Sequence, residues 1–99
     1  MEIKACNSLE EVRSEIDKLD EQIVELIALR SRFVRQAAKF KASIEEIKAE
    51  DRVRAVVDHA REKAIEKGIN PNMMEDLYRI MINEMVETEI AELRDRKLL

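Results

Sequence analysis

The sequence contains few of the residues that form turns, disulfides or aromatic cores, namely Gly, Pro, Cys and aromatic residues. Its 99 residues include one Gly, one Pro, one Cys and three aromatic residues. The scarcity of Gly and Pro argues against a strand-and-turn architecture, which needs turn residues at regular intervals. A single Cys excludes an intramolecular disulfide framework and suits a reducing compartment. No apolar run is long enough to span a membrane, and residues 1–6 lack the apolar stretch of a signal peptide, so we expect a cytoplasmic protein.

The charge balance is slightly acidic. Charged residues make up 40% of the chain, and 22 acidic against 18 basic side chains give a net charge of −4. This balance argues against a basic nucleic-acid-binding domain. Apolar residues, at 45%, are sufficient for a core, and the length fits one small domain. We therefore predict a single all-α domain over residues 1–99.

The first predicted helix begins at a capping box formed by Ser8 and Glu11. Apolar residues then recur at alternating intervals of three and four, at Leu9, Val12, Ile16, Leu19, Ile23, Leu26, Phe33, Ala37 and Phe40. The repeat predicts one helix that reaches about Lys41 and is roughly 50 Å long. A lone chain would struggle to cover so long an apolar seam, so we predict an intertwined homodimer.

The rest of the chain predicts two more helices. Residues 42–49 are interpreted as a break or short loop, although Ser43–Glu46 is a second possible capping box. A second helix then runs from about Glu50 to Lys67 and buries Val53, Val56, Val57, Ala60 and Ala64. Gly68 suits the position after a helix end, and Asn70-Pro71 suits the start of the next.

The third predicted helix runs from Pro71 to about Arg96. Its apolar face comprises Met74, Leu77, Tyr78, Met81, Ile82, Met85, Val86, Ile90 and Leu93. The charged residues 94–97 are interpreted as a solvated or fraying tail. His59 and Cys6 lie far apart in the sequence, so we expect no metal site.

Two charged residues interrupt the apolar faces. Arg30 occupies a seam position of the first helix, and Glu89 lies on the apolar face of the third. A buried charge needs a partner, and a carboxyl group without one would favour its neutral form. The two side chains could pair with each other, or Arg30 could fix the register of a coiled coil.

Three more cations lie at the edges of the apolar seams: Arg13, Lys41 and Arg52. Such side chains can simply extend along apolar surface with the charge in water. Inward cations on an acidic protein alternatively indicate a site for a small dianionic ligand, since guanidinium groups bind carboxylates with two parallel hydrogen bonds. Arg13 and Arg30 are separated by roughly 25 Å of helix, so Arg13 would have to come from a partner subunit.

The pattern resembles the all-helical class of chorismate mutases and, within it, the isochorismate-pyruvate lyases of salicylate biosynthesis. The resemblance covers about residues 8–95. It is carried by Val12-Arg13-Ser14-Glu15-Ile16-Asp17-Lys18-Leu19-Asp20, Leu29-Arg30, Phe40-Lys41-Ala42-Ser43 and Asp51-Arg52-Val53.

The resemblance implies an intertwined dimer of three-helix chains with two equivalent sites and no metal or cofactor. Arg13 of one subunit and Arg30, Lys41 and Arg52 of the other would hold chorismate or isochorismate. Val53 and Met85 would line the pocket, and Glu89 would face the ether oxygen. The catalytic residues are thus expected to be Lys41, Glu89 and Arg30, with a mobile lid after Lys41.

Two departures from the family pattern bear on the activity. Many relatives have Gln where this chain has Glu89, although some mutases use a protonated Glu there. Many dedicated mutases have Glu where this chain has Val53, which favours the lyase branch. We predict a chorismate mutase of the shikimate pathway and aromatic amino acid biosynthesis. The alternatives are an isochorismate-pyruvate lyase and a non-enzymatic helical interaction module.

Overall fold

The computed structural model describes residues 3–98, with side chains as far as residue 97. The regular secondary structure of this range is helical. The helices are α1 (Leu9–Ala38), α2 (Ile44–Lys48), α3 (Glu50–Glu66) and α4 (Pro71–Leu98). The prediction of three main helices is confirmed, and α2 is a short addition between the first two. None of these helices is long and apolar enough to cross a membrane.

The chain divides into two compact units, one up to Arg32 and the other from Phe33 onward. The single domain expected over residues 1–99 therefore stays a prediction. In the first unit, the Ser8 hydroxyl accepts a hydrogen bond from the backbone N–H of Glu11 at 3.1 Å. The Glu11 carboxylate accepts one from the N–H of Asn7 at 2.9 Å. The predicted capping box therefore starts α1, with its return bond one residue before the cap.

The apolar repeat of α1 lies at the surface of the first unit. Six of its members are between 40% and 64% exposed: Leu9, Val12, Ile16, Leu19, Ile23 and Leu26. Side chains of this kind are usually buried, and a contiguous exposed set is typical of an interaction surface.

In the second unit, α1 ends at Ala38, three residues earlier than predicted. The N–H groups of Lys39, Phe40 and Lys41 donate to carbonyls three residues back, at 3.0–3.2 Å. This tighter spacing is common where a helix ends.

The predicted break at residues 42–49 is confirmed, and it contains α2. The Ser43 hydroxyl caps this helix by accepting from the N–H of Glu46 at 3.1 Å, and the Glu46 carboxylate accepts from the N–H of Ala42 at 2.8 Å. Ile47 packs with Ile90 and Leu93 of α4 in a buried cluster. Ala49 then separates α2 from α3 in the left-handed conformation, at φ 37° and ψ 59°.

Helices α3 and α4 form a hairpin. On α3, Val57, Ala60 and Ala64 are buried as predicted, whereas Val53 and Val56 are only half-buried. Small side chains let the two helices approach closely. Gly68 adopts φ 75°, and the Asn70 side chain accepts a hydrogen bond from the N–H of Asn72 at 2.9 Å. The predicted turn is thus confirmed.

The apolar face of α4 is only partly covered. The buried residues are Ile82, Met85, Ile90 and Leu93. Met74, Tyr78, Met81 and Val86 are half-buried. Leu77, which was predicted to be buried, is 52% exposed in the single chain. The apolar pattern identified the face correctly, but α3 does not extend over all of it.

A charged network joins the start of α4 to α3. Arg61 of α3 donates to the Glu75 carboxylate at 2.9 Å and to the Pro71 carbonyl at 3.3 Å. Arg79 donates to the other oxygen of Glu75 at 2.8 Å. The hydrogen bond from Arg79 lowers the pKa of Glu75 below its ordinary value, and the charges of Arg79 and Arg61 act in the same direction.

Candidate active site

The buried carboxylate of Glu89 pairs with the ammonium group of Lys41. The two charged atoms are 2.9 Å apart. Glu89 is 4% exposed, the one charged or polar residue among the described buried residues. Sequence reasoning placed both residues in the site, and the structure brings them together. Glu89 therefore does not lie in the core without a partner.

Apolar side chains of α4 surround this ion pair. Met85 lies one turn before Glu89, Ile90 adjoins it and Leu93 lies one turn after it, and all three are buried. Because the Glu89 side chain is 5% exposed and that of Lys41 is 25% exposed, water screens this pair less than a surface pair. The expectation that Met85 lines the pocket stays a prediction.

The backbone of Lys41 is held by a residue that the sequence did not single out. One terminal nitrogen of the Arg96 guanidinium donates to the carbonyls of Ala38 and Lys39, each at 3.3 Å. The other donates to the carbonyl of Lys41 at 2.6 Å. Residues 94–97 are exposed, as expected of a solvated face, but these contacts show that Arg96 is not part of a fraying tail. Its partners are backbone atoms, which leave no signature in side-chain spacing.

Arg52 and Val53 lie in the first turns of α3. Arg52 is exposed, and Val53 is half-buried. Val53 lines an open groove of about 620 Å³ together with Ile82 and Val86 of α4. The groove has mixed charge, since it is also lined by Lys48, Arg54, Arg79, Glu50 and Glu87. Lys41 and Glu89 are not among the lining residues of this groove, so contact of Val53 with a substrate stays a prediction.

Arg13 and Arg30 belong to the first unit. Arg13 is exposed and Arg30 is half-buried, and both lie within the uninterrupted helix α1. Their 17-residue separation corresponds to roughly 25 Å along a helix with a rise of 1.5 Å per residue. One small ligand cannot contact both arginines of the same chain.

The second unit therefore provides a lysine held against a buried carboxyl group on an apolar helix face. An ammonium group has three donors, so Lys41 can bond Glu89 and still donate to a ligand. No group of three His, Cys, Asp or Glu side chains within the part of the chain that the structure describes is placed to hold a metal ion.

Comparisons with known proteins give this arrangement its context. The family model described as chorismate mutase type II matches residues 12–90. Isochorismate pyruvate lyase of Pseudomonas aeruginosa is 30% identical over 92 residues, which cover 93% of this chain and 91% of that protein. T-protein of Haemophilus influenzae is 34% identical over 83 residues, which cover 83% of this chain but 22% of that protein.

The matched range contains the apolar repeat from Val12 onward, the Lys41 turn and Glu89, so it includes residues of both units. This chain belongs to the chorismate mutase type II family, an enzyme family. The resemblance inferred from the arginine and lysine positions is thereby confirmed.

Proposed function

We propose that this chain is an enzyme that rearranges chorismate to prephenate in a cationic pocket around Lys41. The family match supports the reaction class. The observation that carries the proposal is the Lys41–Glu89 pair, because it places a cation at 2.9 Å from a buried carboxyl group on an apolar wall.

The rearrangement needs no nucleophile, metal or cofactor because it is pericyclic. The ether C–O bond breaks while a C–C bond forms between the enolpyruvyl group and the ring, and no proton or electron leaves the molecule. The protein must hold the dianion in a folded shape, which is a positioning effect. It must also stabilise the negative charge that develops on the ether oxygen.

Lys41 would donate to a substrate carboxylate and to the ether oxygen. Glu89 would donate to the same oxygen, a role that requires its carboxylic acid form. Met85 would form part of the apolar wall.

The arginines would bind the substrate carboxylates. We assign Arg30 and Arg52 of one subunit and Arg13 of its partner to this role. Two observations support a shared site in a homodimer: the roughly 25 Å of helix between Arg13 and Arg30, and the exposed apolar repeat of α1. The cytoplasmic location expected from the composition stays a prediction.

A second candidate activity is the cleavage of isochorismate to salicylate and pyruvate. The similarity to the isochorismate pyruvate lyase of Pseudomonas aeruginosa favours it, because that match covers both proteins almost completely. In this reaction the corresponding C–O bond breaks while a hydrogen moves from the ring to the enolpyruvyl carbon. Val53 is compatible with this branch.

Incubation of the protein with each substrate separately tests both activities. Prephenate from chorismate supports the mutase, and salicylate fluorescence from isochorismate supports the lyase. If neither product forms, both proposals are refuted.

Lys41→Met should lower kcat by roughly 100-fold, because a donor to the developing charge is lost. Lys39→Met, which removes an exposed cation two residues away, should retain the parent rate. Urea unfolding of each variant separates lost chemistry from lost folding.

A further inference from the structure

Arg96 makes three hydrogen bonds to the turn that carries Lys41. Its guanidinium donates to the carbonyls of Ala38, Lys39 and Lys41 at 3.3, 3.3 and 2.6 Å. Arg96 lies in α4, whereas the three carbonyls belong to the last residue of α1 and to the turn that follows it. The contacts therefore fix the backbone of Lys41 to α4.

The carbonyls that Arg96 binds lie at and just after the end of α1, and that of Ala38 also accepts from the N–H of Lys41 at 3.1 Å. The last four carbonyls of an α-helix have no acceptor role within it and need donors from elsewhere. A cation at this position also interacts favourably with the helix dipole. The planar guanidinium can serve several carbonyls at once, which the single ammonium nitrogen of a lysine cannot do with the same geometry.

Arg96 and Glu89 hold Lys41 from the same face of α4. Seven residues separate them, about two helical turns, so both side chains leave α4 in nearly the same direction. Glu89 binds the ammonium group at 2.9 Å while Arg96 binds the backbone at 2.6 Å. Helix α4 therefore positions both the ammonium group and the backbone of Lys41.

We propose that Arg96 is a positioning residue that holds Lys41 where it meets the substrate. This inference rests on the proposed function, in which Lys41 donates to the reacting oxygen. Arg96 is not assigned to contact substrate, so its loss should slow turnover while leaving substrate binding nearly unchanged.

A double-mutant cycle on the purified full chain tests the proposal, with kcat and KM measured for whichever of the two substrates the parent converts. Arg96→Met should lower kcat about tenfold and change KM less than about threefold. In the Lys41→Met background the same substitution should change kcat less than about twofold, because the residue it positions is absent. Equal losses in the two backgrounds would overturn the proposal.

Two further variants separate positioning from general stabilisation. Glu92→Gln removes another contact between α4 and the end of α1, the pair of Arg35 and Glu92 at 3.8 Å, without touching the Lys41 turn. Its kcat should equal that of the parent, and a loss as large as that of Arg96→Met would contradict a specific role. Arg96→Lys retains the charge and should recover part of the lost kcat, whereas kcat no higher than that of Arg96→Met would also contradict it.

The same measurements distinguish a failure of the proposed function from a failure of this inference. If Lys41→Met has the kcat of the parent, then Lys41 is not catalytic and the proposed function is wrong. If Lys41→Met loses activity but the effects of the two substitutions are additive, only the role of Arg96 is wrong.

Discussion

At the scale of single residues, the proposed site depends on a buried carboxyl group paired with a lysine. Glu89 is 4% exposed and keeps one strong partner, Lys41, at 2.9 Å. A buried ion pair contributes little net stability, and replacement by apolar residues is often neutral or stabilising. The proposed role in the reaction would explain why this chain has a charged pair where Leu or Met would pack well.

The proposed hydrogen-bond donation by Glu89 predicts different effects of an amide and of an alkyl group at this position. An ionised carboxylate would repel the charge that develops on the ether oxygen, whereas Gln presents a neutral donor. Glu89→Gln should therefore retain at least the parent kcat, and Glu89→Leu, which has no donor, should lower kcat by roughly 100-fold. Steady-state rates of both variants provide the measurement, and Glu89→Gln as slow as Glu89→Leu would contradict the role.

Candidate site residues could be predicted from the sequence where a charged side chain interrupts an apolar pattern. Glu89 stands out because its helical neighbours are Met85, Ile90 and Leu93. Arg96 could not be found in this way, because it follows a charged stretch and bonds to backbone carbonyls. Its role depends on where two helix ends meet, which spacing within one helix does not reveal.

At the scale of elements, helix starts were easier to predict than the boundary between α2 and α3. Ser8, Ser43 and Asn70 each have a side-chain acceptor that caps a helix, and each was identified from local sequence. The boundary at Ala49 depends on a left-handed conformation that Ala rarely adopts. No Gly or Pro marks it, so the sequence predicted a break there without the small helix inside it.

The α3–α4 hairpin should lose stability in acid through Glu75. Its pKa is lowered in the folded state by Arg79 and Arg61, so its contribution is present above the ordinary carboxyl value and is lost as pH falls through the folded value. Glu75→Gln should therefore unfold at lower urea concentration than the parent near pH 7. The difference should shrink as the pH is lowered below about 4.

Urea midpoints at one protein concentration, measured from neutral pH downward, check this expectation. Glu66→Gln is the matched control, because its carboxylate pairs with Lys63 at an exposed site, 3.1 Å away. Exposed pairs of this type contribute little to stability. If the difference in urea midpoint between Glu75→Gln and the parent is the same at every pH, the charge of Glu75 is not the cause of that difference.

At the scale of the whole molecule, the first unit has more apolar surface than it can bury. The seven-residue repeat from Leu9 to Leu26 is 40–64% exposed along its length. The same repeat allowed both the helix and a partner to be predicted from sequence, since a seam of this kind needs a second surface. Which residues of the partner cover it could not be predicted, because the repeat specifies apolar contact and not a particular register.

Mixed dimers test the sharing of sites between subunits. Arg13→Ala and Lys41→Met should each be nearly inactive alone. After equimolar mixing and subunit exchange, half of the dimers are hybrids, and each hybrid regains one intact site. The mixture should therefore recover about a quarter of the parent activity. If Arg13 acts on the site of its own chain, the mixture will be no more active than its components.

The interval between Glu89 and Arg96 restricts what kind of genetic change α4 can accept. A substitution between them alters one side chain, but the insertion or deletion of one residue rotates everything beyond it by about 100° around the helix axis. Arg96 would then point away from the carbonyls it binds, even though the sequence would still contain both Glu89 and Arg96. In related genes we expect insertions and deletions to occur in the loops or beyond residue 96. The segment from Glu89 to Arg96 should keep its length while the residues between them vary.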